Sequence, residues 1–248
     1  MTLLSGALAL AGLWLGLRSA GAGGWMDRES APPATTFSIV AFDPATGELG
    51  VAVQSKLVGV GAIVPWAEAG VGAVATQALA NPTWGPRGLD ALRRGEAPRD
   101  VVESLARSDP DPASRQLGVV DARGRAASYT GASCLSWAGD RQGPHYAVQG
   151  NLLAGAAVVD EMARAFEAAE GDLGDRMLAA LAAGQRAGGD RRGKQAAALL
   201  IVREGWGYAG LNDRYRDLRV DDHPDPIREL HRIYKLHQQA FPRPKPQR

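Results

Sequence analysis

Thr36 opens the run "TFSIVAFD", directly after a second threonine in "PPATTFSIVA". A threonine hydroxyl attacks a carbonyl only when a base removes its proton. At the N terminus of a chain the residue's own α-amine, which titrates near neutrality, can be that base. Such a centre needs a free amine, a nearby cation and donors for the oxyanion. Strand propensity by itself also accounts for a threonine here. Lys56, in "VQSK", ends the partner run; it would tune the amine and hydroxyl, or else lie in solvent as an ordinary strand-end lysine. Ser55 beside it is placed to orient water or substrate. Asn151, in "VQGNLL", would donate to an oxyanion from a strand exit, or simply shape a turn. Gly188 and Gly189, in "GGDRRGKQ", would form a nest of N–H groups for an anion, or cap a helix. Asp190 is expected to pair with a neighbouring arginine. Gln77 and Asn81, in "ATQALANPTWG", would line a pocket floored by Trp84, or satisfy loop backbone groups.

Other chemistries find less support. "VDDHPDP" offers Asp221, Asp222, His223 and Asp225 to a divalent cation, but Asp225 before Pro226 is equally a helix start. With no second, distant ligand group, no metal site is assigned and no cofactor is expected. Cys134 is the only cysteine, which excludes an intramolecular disulfide and argues against a cysteine zinc site. Lys and Arg (28) nearly balance Asp and Glu (27), and they are mixed along the 248 residues. Without a basic stripe, nothing points to a nucleic-acid partner.

The elements that must position these residues follow from periodicity. "TFSIVAFD" and "ELGVAVQS" form a hairpin around "PATG". "VGVGAIVPW" and "AGVGAVATQA" are apolar on both faces, as strands buried between layers are, with Pro65 limiting how the first can pair. Two helices follow, over "GPRGLDALRRG" and "APRDVVESLARSD". "RQLGVVDARGRAASYTG" is a second hairpin, and "YAVQGNLL" a strand running into a loop. Val158, Met162 and Phe166 mark the apolar stripe of a third helix, and "DLGDRMLAALAAGQRAGG" is a fourth. "QAAALLIVRE" and "RYRDLRVDD" are late strands. The last helix should bury Ile227, Leu230, Ile233, Tyr234 and Leu236. Strands joined by hairpins, with helix pairs between them, give an α+β fold: a four-layer αββα sandwich of two mainly antiparallel sheets.

The chain falls into a leader (1–35), one domain (36–240) and a Pro-rich basic tail (241–248) expected to be disordered. "LLSGALALAGLWLGL" has signal-peptide length, and Ala20 and Ala22 suit a signal peptidase, although Arg18 follows the apolar run instead of preceding it. Export to the periplasm or beyond is therefore expected. The alternative is a start at Met26, which leaves a cytoplasmic protein with a short leader.

The runs "TFSIVAFDPATGELGVAVQSK", "GAIVPWAEAGVGAVATQALANPTWGPRGLDAL", "YAVQGNLLAG" and "GLNDRYRDLRVDDHPDPIRELHRIYKLH" resemble the bacterial family known as domain of unknown function 1028. The resemblance spans about Thr36 to His237 and implies a likeness to the N-terminal-nucleophile (Ntn) hydrolases and their αββα sandwich. It places Thr36 where the Ntn nucleophile would be. Most relatives begin with Met followed at once by this Thr, so Met removal exposes it. Here 35 residues precede Thr36. Signal-peptide cleavage after Ala22 would leave Gly23 to Thr35, and a start at Met26 would leave Met26 to Thr35. A further cut between Thr35 and Thr36 is therefore required. Longer members carry a module expected to bind peptidoglycan, which hints at envelope association.

The leading expectation is an Ntn-type amidohydrolase acting on a small molecule or peptide. Thr36 would be its nucleophile, Lys56 would tune it, and Asn151 or the Gly188-Gly189 amides would hold the oxyanion. The alternative is a non-catalytic protein of the same fold, binding a small polar ligand or envelope component through an uncut chain. A homo-oligomeric structural domain is the third.

Overall fold

The computed structural model describes residues 34–243; the expected signal peptide and most of the leader and tail lie outside them. The first hairpin forms where the alternation places it, with β1 (Thr36–Asp43) antiparallel to β2 (Glu48–Ser55). A short turn-rich segment leads to β3 (Pro65–Glu68), which pairs with β4 (Gly72–Ala78). Then come α1 (Trp84–Arg93) and α2 (Pro98–Ser108), and the hairpin of β5 (Arg115–Asp121) and β6 (Ala126–Thr130). A further hairpin joins β7 (Gly139–Gly143) to β8 (Tyr146–Gly150). The chain continues through α3 (Ala157–Ala168), α4 (Leu173–Arg186), β9 (Ala196–Val202), β10 (Arg214–Val220) and α5 (Pro226–Ala240).

The strands make two antiparallel sheets, one ordered β10-β9-β2-β1-β8-β7 and the other β3-β4-β5-β6. Alternation along β1 explains the layering. Phe37, Ile39 and Ala41 point outward onto Met162, Phe166 and Met177 of α3 and α4. Val40 points inward, with Val51 and Val53, onto Ala73, Ala75 and Val120 of the other sheet. On that sheet's far face, Val74, Leu117 and Val119 pack on Leu89, Val101 and Leu105 of α1 and α2. The order of layers is therefore αββα, as expected. Each large apolar side chain fully buried in these layers contributes about 1.5–3 kcal/mol. Among the described residues no helix is long and apolar enough to cross a membrane.

Three expectations are corrected. The strand expected over "VGVGAIVPW" is instead a 3-10 turn at Val60–Ala62, and strand geometry begins only at Pro65. That position suits proline, because a first residue on an edge strand need not donate to the ladder. β7, "GDRQG", was not anticipated, since it is polar and carries no apolar alternation. On α5, Ile227, Leu230 and Tyr234 are buried and Ile233 is half-buried, but Leu236 is 50% exposed.

Candidate active site around the Thr35–Thr36 bond

Strand pairing sets the site. Thr36 and Ser55 are directly opposed at the end of the β1–β2 ladder, and opposed residues in an antiparallel pair share a face. Both are fully buried, as is Thr35. The Thr36 hydroxyl donates to the carbonyl of Ala34 at 2.6 Å and lies 3.3 Å from Ser55 Oγ. Ser55 Oγ in turn donates to the Thr35 carbonyl at 2.6 Å. That same oxygen receives a second hydrogen bond, 2.8 Å, from Nη2 of Arg192. The carbonyl of the Thr35–Thr36 peptide thus sits between a hydroxyl and a guanidinium.

Arg192 is held in place by Asp190. Its Nη2 and Nε donate to the two carboxylate oxygens at 2.8 and 3.2 Å, and its backbone N–H donates to Asp190 Oδ1 at 2.9 Å. The Asp190 carboxylate is fully buried, whereas the arginine side chain is 30% exposed. Asp190 is anchored in turn by a bridge to Leu153, just beyond β8. The expected pairing of Asp190 with a neighbouring arginine is therefore seen, and it orients the cation of the site.

The remaining expected residues divide. Asn151 is buried next to Thr36 and its backbone N–H donates to the Thr36 carbonyl at 3.0 Å. Its side-chain Nδ2 is committed to Gln116 Oε1 at 2.9 Å, and Oδ1 has no partner among the described residues. Gln77 belongs to the same polar layer between the sheets, donating to Gln116 Oε1 at 2.8 Å and accepting from Ser38 at 2.6 Å. Gln149 closes the layer with a 2.6 Å bond to Ser38, and Gln116 Nε2 donates to the Gly150 carbonyl at 2.8 Å. β5 carries glycine at position 118 for this reason: a Cβ there would lie 2.3 Å from Gln149 Oε1.

Lys56 is not part of this arrangement. It is exposed one residue past β2, with no hydrogen bond or ion pair among the described residues. Arg192 supplies the cation instead. The Gly188-Gly189 amides form no nest: they donate to Gln185 and Gly184 carbonyls and close α4, with φ of +115° and +57°. Asn81 braces a loop through Asp109 at 2.7 Å and Thr83 at 2.7 Å. Trp84 floors no pocket, because it is fully buried between α1 and the four-stranded sheet. In "VDDHPDP", His223 Nδ1 accepts the Asp225 N–H, and Asp225 pairs with Lys194 and Arg228.

Residues 36–230 match the family described as "Family of unknown function (DUF1028)". The chain belongs to this family. A solved DUF1028 structure, protein SPO2555 from Silicibacter pomeroyi, is 32% identical with a TM-score of 0.75, covering 82% of this chain and 89% of that one. Anbu, described as an ancestral beta-subunit, from Yersinia bercovieri aligns at 12% identity with a TM-score of 0.35, covering 86% and 100%. No curated protein matches the sequence. In this DUF1028 chain the DUF1028 match begins at Thr36 itself, the residue at which the site is built. Arg192 and Gln116 are what the residues alone did not single out. Arg192 stands in a glycine-flanked loop far along the chain, and its only local signal is the Asp two residues before it. Gln116 lies just before the apolar run Leu117–Val120 of a wholly buried strand, and a glutamine there signals a buried polar layer.

Proposed function

We propose that this chain is the precursor of an amide-bond hydrolase of the N-terminal-nucleophile type, with Thr36 as nucleophile once the Thr35–Thr36 bond is broken. What supports the reading is the pair of hydrogen bonds that Ser55 and Arg192 direct at the Thr35 carbonyl. In self-cleavage, Thr36 Oγ adds to the Thr35 carbonyl carbon and its proton passes to the Thr36 nitrogen as the C–N bond breaks. The resulting ester between Thr35 and Oγ is hydrolysed by water, which leaves a Thr35 carboxylate and a Thr36 with free amine and hydroxyl. Charge developing on the Thr35 oxygen meets two donors already in place, the arrangement that stabilises acyl-transfer intermediates. With the leader gone, the same donors are available to a substrate carbonyl. The freed amine takes the hydroxyl proton, an ester forms on Thr36, the amine product departs with that proton, and water regenerates the enzyme. The substrate class is an amide-bearing small molecule or peptide.

Export belongs to the same reading: removal of a signal peptide after Ala22 would leave Gly23–Thr35 for the second cut. A binding protein with an uncut chain is the competing reading, favoured by the hydrogen bond that already occupies the Thr36 hydroxyl. Intact mass and N-terminal sequence of the purified mature protein decide between them. The proposal expects a chain beginning at Thr36, and a Thr36→Ala chain that folds but keeps its leader. A stable, fully active chain that retains Pro32 and Pro33 would overturn it.

A further inference from the structure

A second concave site lies at the other end of the six-stranded sheet. Ser55, at the Thr36 end, pairs with Ala196, while Val202 pairs with Leu49 and Arg214. Six residues of strand separate those ends, about 20 Å at about 3.3 Å per residue. There, the loop between β9 and β10 and the last turn of α5 border an open cavity of about 440 Å³, within the range of small-molecule sites. Its walls are mainly aromatic and apolar, with Trp206, Tyr208, Tyr215 and Phe241; His237 and Arg214, the latter paired with Asp217, form its polar edge. Trp206 and Tyr215 meet edge to face at 5.0 Å, which fixes a rigid corner.

Behind this wall sits a cation without an acid. Arg216 is 1% exposed, and among the described residues no carboxylate oxygen lies within 4.0 Å of it. Among the described residues its guanidinium donates only to neutral groups that themselves line the cavity: Tyr215 Oη at 2.6 Å, the Phe241 carbonyl at 3.2 Å and His237 Nδ1. Its Nε has no partner among the described residues. The nearby carboxylates serve other cations, Glu48 pairing with Arg203 and Arg243, and Asp217 with Arg214 and Arg219. A buried, unpaired charge is costly, and an anion brought to it would offset that cost. Arginine can only donate, so the contact fixes the histidine tautomer: Nδ1 accepts and Nε2 carries the proton. Among the described residues Nε2–H has no partner and is not a buried unpartnered atom, and His237 lines the cavity, which leaves this donor, backed by the Arg216 charge, for a bound molecule. Burial, aided by that charge, holds His237 below its ordinary value, which keeps the ring in this neutral form.

We propose that the cavity binds a carboxylate attached to a flat apolar body, the rings packing among Trp206, Tyr208 and Phe241 and the carboxylate meeting His237 and the Arg216 charge. The site is independent of Thr36 and can be examined in a Thr36→Ala chain. Titration calorimetry would compare phenylacetate with its neutral isostere phenylacetamide. Phenylacetate should bind at about 1 mM or tighter and about tenfold better than the amide, the order of one charge-assisted contact. Arg216→Met should erase the preference. Because Arg216 is buried and its loss could unfold the chain, Trp206→Ala in the surface loop provides a second test, with the fold checked by circular dichroism. Phenylacetate affinity should fall at least severalfold in it. Equal binding of acid and amide, no binding of either, or binding indifferent to Trp206→Ala would overturn the assignment. So would concentration-dependent self-association that Tyr208→Ala abolishes, since the aromatic wall would then be an interface between copies.

Discussion

Arg192 reaches back along the chain to the carbonyl that Ser55 already holds, and each donor has a separable consequence. If Thr35–Thr36 breaks by the route proposed, Arg192→Ala should slow leader loss about 10²-fold, the usual effect of deleting one oxyanion donor. Ser55→Ala should have a comparable effect, read by mass spectrometry of pulse-labelled chain. Asp190→Asn should fall in between, because it leaves Arg192 present but loosely held. Lys56→Ala should leave the rate unchanged, since that side chain lies in solvent. Ser55 was legible in the sequence because pairing in a hairpin is a local property: once β1 and β2 are recognised, the partner of Thr36 follows. Arg192 was not, because a loop arginine acquires its role only when α4 and β9 bring residues 190–192 back against the first strand. Lys56 illustrates the converse, a plausible cation next to the right residue and pointing to the wrong side.

At the scale of elements, α5 is clasped to the start of α4 by two carboxylates: Asp175, which pairs with Lys235 at 2.6 Å, and Asp172. Asp172 caps α4 by accepting the Asp175 N–H at 3.0 Å, and its carboxylate also receives Tyr234 Oη and Gln238 Nε2 from α5. Burial pushes its pKa up, but these hydrogen bonds and the Arg243 charge outweigh burial and hold it below the ordinary carboxylate value of 3.8. A depressed folded-state pKa means that the ionised form contributes stability above pH 3.8 and that this contribution disappears as pH falls through the lower, folded value. Tyr234→Phe should therefore cost about 1.5–3 kcal/mol in urea unfolding at pH 7, and that penalty should shrink progressively as the titration is repeated at successively lower pH below 3.8. Of the helices carrying this clasp, α5 was legible from its apolar stripe: Ile227, Leu230 and Tyr234 are buried as their spacing requires. β7 was not, because a polar edge strand is held by its neighbour's backbone and carries no pattern of its own.

Across the molecule, the two sheets meet through unlike halves. One part of their interface is aliphatic, and the other is a layer of amides and hydroxyls in which Gln116 touches Gln77, Asn151, Thr130 and the Gly150 carbonyl. Aliphatic packing tolerates sliding; a hydrogen-bonded layer fixes one register. Gln116→Leu should destabilise the fold by about 2–5 kcal/mol, because it strands several buried groups at once. Chemical denaturation checks this, and Val119→Ala, on the outward face of the same strand, provides the aliphatic comparison. The layered architecture itself could be read from strand and helix order. The polar layer could not, since nothing in a single glutamine says that its partners lie on both sheets.

The short bridge between Ala34 and Ala78, with the Ala78 N–H donating to the Ala34 carbonyl at 3.0 Å, would give activation two stages if the Thr35–Thr36 bond is cut as proposed. Residues just ahead of Thr36 are stitched to β4, on the far sheet, so a severed leader would not fall away at once. It would remain docked as its own first inhibitor, and activity should appear after a lag that outlasts scission. A synthetic peptide ending in Pro-Pro-Ala-Thr, added to processed protein, should re-enter the same seat and suppress turnover competitively; a peptide with a scrambled end should not.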